Sequence, residues 1–163
     1  MNNLTTVSKK ILDKQSLMAN LNNWKSANSK IVFTNGVFDL LHLGHIDYLC
    51  KAKDCGDFLI IGVNSDKSAK RLGKGTSRPI TDEKSRSMII AALEFVDAVV
   101  LFDEDTPLEL IKTVQPDVLI KGADYKAEDI VGYDVVMAKG GVIKTIEFLP
   151  GYSTTSIEQR IKG

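Results

Sequence analysis

The sequence predicts an α/β fold of the doubly wound class, in which helices cover both faces of one parallel sheet. Two observations predict it. From Lys30 onward, short apolar runs alternate with helical stretches, and the apolar runs are nearly continuous. Continuous apolar strands suit a sheet buried on both faces, and the alternation suits β-α-β units. At 163 residues, with 44% hydrophobic and 26% charged residues, the chain has the size and composition of one globular domain.

The amino-terminal segment is predicted to form one or two short amphipathic helices. Apolar residues between Val7 and Trp24 recur at roughly helical intervals. We therefore expect a short helical appendage over residues 1–27 and a main domain over residues 28–163. Five strands are predicted in the main domain: Ile31 to Thr34, Phe58 to Val63, Ala98 to Phe102, Val118 to Ile120 and Val142 to Phe148.

Two helices between these strands have ends that the sequence predicts. The first runs from Gly44 to Cys55, and Gly56 is expected to stop it. The second is expected to take Thr81 as its N-cap and to run through Leu93. Both helices would connect parallel strands.

A third helix has the clearest predicted start. Thr106 can act as N-cap, Pro107 takes the first helical position and Glu109 stands where a capping box needs an acceptor. Ligands of an open parallel sheet bind beyond the carboxyl ends of its strands. The turns that follow the strands are therefore the places to look for function.

Net charge by itself excludes little, since local clusters of charge can still bind phosphate. The 21 basic residues balance the 21 acidic ones, so no overall field attracts nucleic acid or anionic lipid. The sequence has no apolar run long enough to span a bilayer and no apolar signal-peptide stretch at its amino terminus. Cys50 and Cys55 fit neither a disulfide framework nor a zinc spacing. We therefore expect a cytoplasmic protein with no nucleic-acid or membrane partner.

The turn after the first predicted strand, residues 34–45, carries the strongest indication of chemistry. Gly36 lets the backbone approach a ligand, and the amides after it can donate to phosphate oxygens. His42 and His45, the chain's two histidines, are three apart at the opening of a helix, so both rings can face one side near its positive end. In isolation, one histidine could instead cap the helix while the other packs on the sheet. Their position beside a glycine turn favours an anion site.

Two motifs at opposite ends of the chain resemble one superfamily. His42-Leu43-Gly44-His45 resembles the HxGH motif of the cytidylyltransferase-like nucleotidyltransferases, and Gly151 to Ile157 resembles their STTxI-type phosphate-binding turn. Neither a G-x-G-x-x-G fingerprint nor a P-loop is present to explain the first turn. Ser153 and Thr154 are also good N-caps, and capping is compatible with phosphate binding at a helix start. The resemblance implies a Rossmann-like sheet with HxGH topology and a nucleotidyltransferase domain over residues 28–163.

Six segments together resemble one branch, the D-glycero-β-D-manno-heptose 1-phosphate adenylyltransferases. This branch also occurs as the carboxyl-terminal domain of a bifunctional heptose kinase/adenylyltransferase, and only the transfer half is expected here. The resemblance implies AMP transfer from ATP to the sugar phosphate for lipopolysaccharide core synthesis, and relatives suggest a homodimer. The segments are residues 33–39, 64–66, 77–80, 105–107, 121–125 and 151–155.

The resemblance implies roles for residues at these turns. By it, the two histidines of the HxGH motif contact the triphosphate and stabilise the transition state. The nucleotide-binding set is Asn35, Gly36, Val37, Phe38, Gly44, Arg86, Gly122, Asp124, Ser153, Thr154 and Thr155.

Basic residues are concentrated between Asp66 and Pro79, where five lysines and arginines accompany two glycines. Such a loop can supply the cations that two polyanionic substrates require, and the glycines would let it close over them. For any single lysine, a solvated loop is the alternative. The candidates are Lys70 and Lys74 for catalysis and Arg71 and Arg78 for binding the acceptor; the family's lysine has no unique alignment because loop lengths differ.

Three further charged residues follow predicted strands or turns. Arg86 stands where the family has an arginine before an apolar helical run, and an exposed ion pair with Glu83 is its alternative role. Asp124 follows a strand where the family's turn contacts the nucleotide. Asp39 is expected to be structural and to accept hydrogen bonds from turn amides.

Phe148 departs from the pattern of a related group of enzymes. The related glycerol-phosphate cytidylyltransferases have arginine five residues before the serine of STT, where this chain has Phe148, and this disfavours cytidylyl transfer. Magnesium (Mg²⁺) is expected as the ATP complex.

Two alternatives stay open: a related enzyme with another acceptor, such as glycerol phosphate with CTP, and a non-catalytic nucleotide-binding protein. The intact histidine pair argues against the second.

Overall fold

The sheet has the predicted doubly wound parallel form. The computed structural model describes residues 2–73, 78–124 and 126–163. Its strands are β1 (Ile31–Gly36), β2 (Phe58–Asn64), β3 (Ala98–Phe102), β4 (Val118–Gly122) and β5 (Val142–Ile146). They form one sheet in the order β3-β2-β1-β4-β5, and every pairing is parallel. The fold class and the five predicted strands are confirmed, with β5 ending two residues before its predicted end.

Helices cover both faces of the sheet. They are α1 (Asn3–Ser8), α2 (Lys14–Ser26), α3 (Leu43–Lys53), α4 (Asp66–Arg71), α5 (Glu83–Ala91), α6 (Leu108–Val114), α7 (Tyr133–Ala138) and α8 (Thr154–Lys162), with a 3₁₀ turn at Ala127–Asp129. One half of the core packs α3 and α5 on Val32 and Val118. The other packs α2, α6 and α7 on Phe33 and Leu119, so consecutive strand residues face opposite halves.

Strand β5 departs from the expectation of two buried faces. It pairs only with β4, and its residues are exposed or partly exposed. It is an edge strand, and the apolar run that predicted it does not distinguish an edge from a centre.

The amino-terminal helices share the core of the sheet domain. Leu17 and Leu21 of α2 are each 1% exposed and belong to the half of the core that contains Phe33. The Leu12 N–H donates to the Val99 carbonyl at 2.8 Å, which adds a short parallel bridge at the β3 edge. The division at residue 27 stays a prediction, but the segment before it helps to close one face.

Two predicted N-caps are wrong by one residue. Asp82, not Thr81, caps α5 and accepts from the Ser85 N–H at 2.8 Å. The N-cap of α6 is Pro107, without a side-chain cap bond, so the capping box predicted from Thr106 does not form. Its expected acceptor, Glu109, instead pairs with Lys112 at 2.7 Å on the helix surface.

Helix α3 ends at Lys53, three residues before Gly56. The basic segment is also not a continuous loop, because its first five residues, 67–71, lie in α4, which is capped by Ser65. Lys70 and Arg71 therefore lie on a helix whose N-cap, Ser65, directly follows β2. Lys74 lies outside the described residues.

Candidate active site

A cavity of roughly 490 Å³ opens at the carboxyl ends of the strands. It lies over the neighbouring strands β1 and β4. On the β1 side the sheet continues to β2 and β3, and on the β4 side it continues to β5, so the strand order reverses between them. This is the switch point at which open parallel sheets bind ligands. Six predicted site residues at the ends of these two strands line it: Asn35, Gly36, Val37, Phe38, Gly122 and Asp124.

The turn after β1 is held in an unusual backbone conformation. Phe38 and Leu40 both have positive φ angles, 52° and 47°. Such angles in non-glycine residues are sparsely populated and persist only where surrounding contacts impose them. Those contacts come from Asp39, whose carboxylate accepts from the Ile80 and Thr81 N–H groups at 2.8 and 3.0 Å.

Asp39 is therefore structural, as expected, although its donors belong to a later connection of the chain. Burial raises the pKa of its carboxyl, but the bonds from Ile80 and Thr81 outweigh burial and leave that pKa below its ordinary value. The carboxylate stays ionised at neutral pH and fixes the turn.

The two histidines meet at the start of α3. Their rings stack with centroids 3.8 Å apart, and the Phe38 ring lies edge-on to His45 at 5.5 Å. His45 lines the cavity. His42 holds the N-cap position without a side-chain cap bond, so the alternative of a capping histidine does not describe it. Burial lowers the pKa of His42, which keeps its ring neutral near pH 7.

Gly44 brings the two motifs into contact. A Cβ at this position would lie 3.1 Å from both the His42 ring and the Tyr152 Cβ. The absence of a side chain at Gly44 therefore lets the turn that carries Tyr152 pack closely on the start of α3. Gly44 is buried and positions the site without lining the cavity.

The second motif forms the start of α8. Ser153 is its N-cap and forms a capping box with Ser156. The Thr154 hydroxyl donates to the Asp39 carbonyl at 2.8 Å, and Thr154 lines the cavity. Two segments more than a hundred residues apart, each at the start of a helix, thus converge on one cavity.

The predicted cations take different positions. Arg78 lines the cavity and pairs with Glu158 of α8 at 2.7 Å, and it donates to the Thr155 hydroxyl at 3.2 Å. Arg71 lies outside the lining and pairs with Asp105, which does line it, at 2.5 Å. Lys70 is exposed near the end of α4 and is not among the lining residues.

Arg86 is 1% exposed and does not line the cavity. Its guanidinium donates to the Val37 carbonyl at 2.7 Å, the Thr81 carbonyl at 3.0 Å and the Asp66 carboxylate at 2.7 Å. Glu83 instead accepts from the Asp66 N–H, so the exposed Glu83–Arg86 pair is not formed. The geometry gives Arg86 a positioning role beneath the first turn.

The turn after β4 is covered by an aromatic ring. Phe148 lies over Gly122, where a Cβ would overlap its ring, and its centroid is 5.7 Å from that of Tyr48. Asp124, in the same turn, lines the cavity beside these residues. A small, partly apolar wall therefore faces the site from the β4 side.

Sequence reasoning missed Lys121 and Tyr48, both of which line the cavity. Lys121 donates a hydrogen bond to the Asn35 amide oxygen. The Tyr48 hydroxyl is 2.8 Å from that of Thr34, and burial raises its pKa to about 12. For Lys121, the sequence did contain an indication of a functional role. A lysine at the end of an otherwise apolar strand is not explained by strand formation alone.

Comparison with known proteins identifies the family. The cytidylyltransferase-like family model matches residues 33–160. The bifunctional protein HldE of Wolinella succinogenes is 50% identical over 154 residues, which cover 94% of this chain and 31% of that protein. The chain belongs to the cytidylyltransferase-like family. It is a nucleotidyltransferase that spans about a third of the length of the curated relatives it matches.

Solved structures agree with this fold. A lipopolysaccharide core biosynthesis protein from Thermoplasma volcanium superposes with a TM-score of 0.60 at 33% identity, covering 74% of this chain and 97% of that one. A pantoate-beta-alanine ligase from Francisella tularensis superposes with a TM-score of 0.61 at 17% identity, covering 93% and 76%, and shows the fold alone. Within the described residues of this cytidylyltransferase-like chain, no helix has the length and apolarity needed to cross a membrane.

Proposed function

We propose that this chain transfers AMP from ATP to D-glycero-β-D-manno-heptose 1-phosphate and releases pyrophosphate. The observation that carries the proposal is the convergence of the HxGH turn and the start of α8 on one cavity. His45 and Thr154 both line it, and the bond from Thr154 to Asp39 joins the two motifs. A helix start presents backbone N–H groups and the positive end of the helix dipole, and both suit a triphosphate.

The chemistry needs positioning more than proton transfer. A phosphate oxygen of the acceptor attacks the α-phosphorus in line, and pyrophosphate leaves from the opposite side. The acceptor phosphate is already ionised near neutral pH, so no general base is required. The residues present can hold the two anions in line and stabilise the charge that grows on the leaving group. We assign that stabilisation to His45, with His42 stacked behind it.

Two findings favour this base and this acceptor. Phe148 stands where glycerol-phosphate cytidylyltransferases carry arginine, and it forms part of an aromatic wall beside Gly122 that suits an adenine ring. The acceptor is supported by the likeness to HldE and to a protein described as taking part in lipopolysaccharide core biosynthesis. The product would be ADP-heptose.

We also propose that magnesium enters as the ATP complex. Among the described residues, no three histidine, cysteine, aspartate or glutamate side chains lie together as a metal site would require. Mg²⁺ is usually bound through substrate phosphates and one or two carboxylates, and as the ATP complex it would offset part of the triphosphate charge. A homodimer stays a prediction from the resemblance.

The test is pyrophosphate release with ATP, the heptose 1-phosphate and magnesium. CTP replaces ATP in a parallel reaction, and His45→Ala is compared with Lys144→Met, a change on the exposed face of β5. We expect release that requires ATP and the heptose phosphate, and a fall in kcat of about a hundredfold or more in His45→Ala, because a transition-state donor is lost.

Each other outcome refutes a particular part of the proposal. Turnover with CTP and glycerol 3-phosphate, but not with this pair, would refute the substrates and leave the transfer reaction. Full activity of His45→Ala would refute the assigned role of the HxGH turn. ATP binding without turnover of either acceptor would favour the non-catalytic alternative.

A further inference from the structure

The cavity extends over both faces of the sheet edge. Phe38 and Tyr48, near the HxGH turn, belong to the half of the core that contains α3. Ile130 also lines the cavity but belongs to the other half, with α6 and α7. We use the name second lobe for Ile130 together with five lining residues that lie outside the HxGH turn and α3: Asn64, Leu72, Asp105, Thr106 and Asp129.

Lys121 lies near the end of β4, on the sheet face whose half of the core contains Ile130. It shares a sheet face with Leu119, because successive strand residues alternate, and Asn35 shares that face with Phe33. The bond from Lys121 to Asn35 spans the ends of β4 and β1, the strands on either side of the switch point. A cation therefore stands at the centre of the cavity floor.

The environment of Lys121 leaves its charge poorly compensated. The side chain is mostly buried, and among the described residues its one hydrogen-bond partner is the neutral amide of Asn35. An ammonium group can donate three hydrogen bonds, so two remain for a ligand. Burial lowers its pKa to about 8, which the charge of Asp124 offsets only in part. A buried cation of this kind is costly unless an anion completes its coordination.

We propose that the second lobe binds the phosphorylated polyol acceptor and that Lys121 binds the acceptor's phosphate. This inference rests on the proposed function for the position of the triphosphate. In-line transfer requires the acceptor oxygen to approach opposite the leaving pyrophosphate. With the triphosphate at the HxGH turn and the start of α8, that approach is from the second lobe, and Lys121 stands where the two anions meet.

The lining of the second lobe agrees with a polyol. Asn64, Asp105, Thr106 and Asp129 supply amide, carboxylate and hydroxyl groups to this side of the cavity. Carboxylates beside a bound phosphate would repel it, but they accept hydrogen bonds from hydroxyl groups. The lobe therefore suits the hydroxyl-bearing body of the acceptor, while Lys121 suits its phosphate.

The experiment measures ligand binding in Lys121→Met, Lys121→Arg and the matched control Lys144→Met. Calorimetric titrations at pH 7 use the ATP analogue with a methylene α,β-bridge, which cannot transfer AMP. Heptose 1-phosphate, glycerol 3-phosphate and inorganic phosphate are then titrated into each analogue complex. We expect Lys121→Met to weaken binding of the preferred sugar or polyol phosphate by about tenfold to a hundredfold, as loss of a charged hydrogen bond predicts. Affinity for the analogue should change less than about twofold, and Lys121→Arg should recover part of the loss.

The outcomes separate this inference from the proposed function. Turnover of ATP and heptose phosphate, with equal acceptor affinity in wild type and Lys121→Met, would refute the role of Lys121 alone. Binding of glycerol 3-phosphate but not heptose phosphate, lost in Lys121→Met, would support Lys121 and refute the heptose. A loss of affinity in Lys121→Met that is confined to the ATP analogue would place Lys121 at the triphosphate. If the wild-type chain binds none of the three phosphate probes, the second lobe is refuted as an acceptor site. Retained analogue affinity shows that a variant is folded.

Discussion

Replacing Lys121 with methionine is expected to stabilise the folded chain. Burial lowers the pKa of this lysine from an ordinary 10.5 to about 8. Since each pKa unit corresponds to about 1.4 kcal/mol, the buried charge reduces the free energy of unfolding at neutral pH by about 3 kcal/mol. Methionine keeps the unbranched stem, while the lost bond to Asn35 costs about 1 kcal/mol. The expected net gain is about 2 kcal/mol.

The gain should depend on pH, which distinguishes it from a packing effect. The folded-state pKa of Lys121 lies below the unfolded-state value, so the wild-type chain is penalised at pH values below both, where both states carry the charge. As pH rises from about 8 to 10.5, the folded chain loses the proton first and the penalty disappears. The advantage of Lys121→Met should be largest near pH 7 and smallest near pH 10.

Urea unfolding at pH 7 and pH 9.5 measures both effects. A gain of about 2 kcal/mol corresponds to a midpoint about 1 M higher in urea at pH 7. Lys144→Met, on exposed β5, should leave the midpoint nearly unchanged at either pH. A destabilised Lys121→Met, or a gain that is equal at the two pH values, would show that the charge of Lys121 is not a cost to the fold.

Two further substitutions test the contacts that hold the first turn. Arg86→Met should lower the free energy of unfolding by about 3 kcal/mol, because two carbonyls and a carboxylate lose their donor. Urea unfolding measures this loss, with the exposed Arg160→Met as control, and equal midpoints for the two variants would contradict the prediction. Gly44→Ala should lower kcat about tenfold with little change in ATP affinity, because its Cβ would displace the His42 ring or Tyr152. An unchanged kcat in steady-state assays would show that this contact does not align the site.

Local sequence patterns were sufficient for the strands and for the N-cap of α8, but not for the starts of α5 and α6. Apolar β-branched runs predict strands wherever they lie, and all five were found. Thr81 fails as an N-cap because its hydroxyl donates to the distant Asp39 carboxylate at 2.7 Å, which leaves Asp82 to cap α5. Such competition between a local bond and a distant one is invisible in a short window of sequence.

The sequence by itself determined the parallel α/β class and the positions of the two motif turns, because alternation, glycine turns and the N-cap of α8 are properties of neighbouring residues. Only the tertiary structure decided which charged side chains line the cavity. Arg86 donates hydrogen bonds to the Val37 carbonyl and the Asp66 carboxylate beneath the first turn. Lys121 donates to Asn35 because β4 pairs with β1. Strands separated by more than eighty residues become neighbours only in the folded sheet. The cation at the cavity floor is therefore a consequence of strand order.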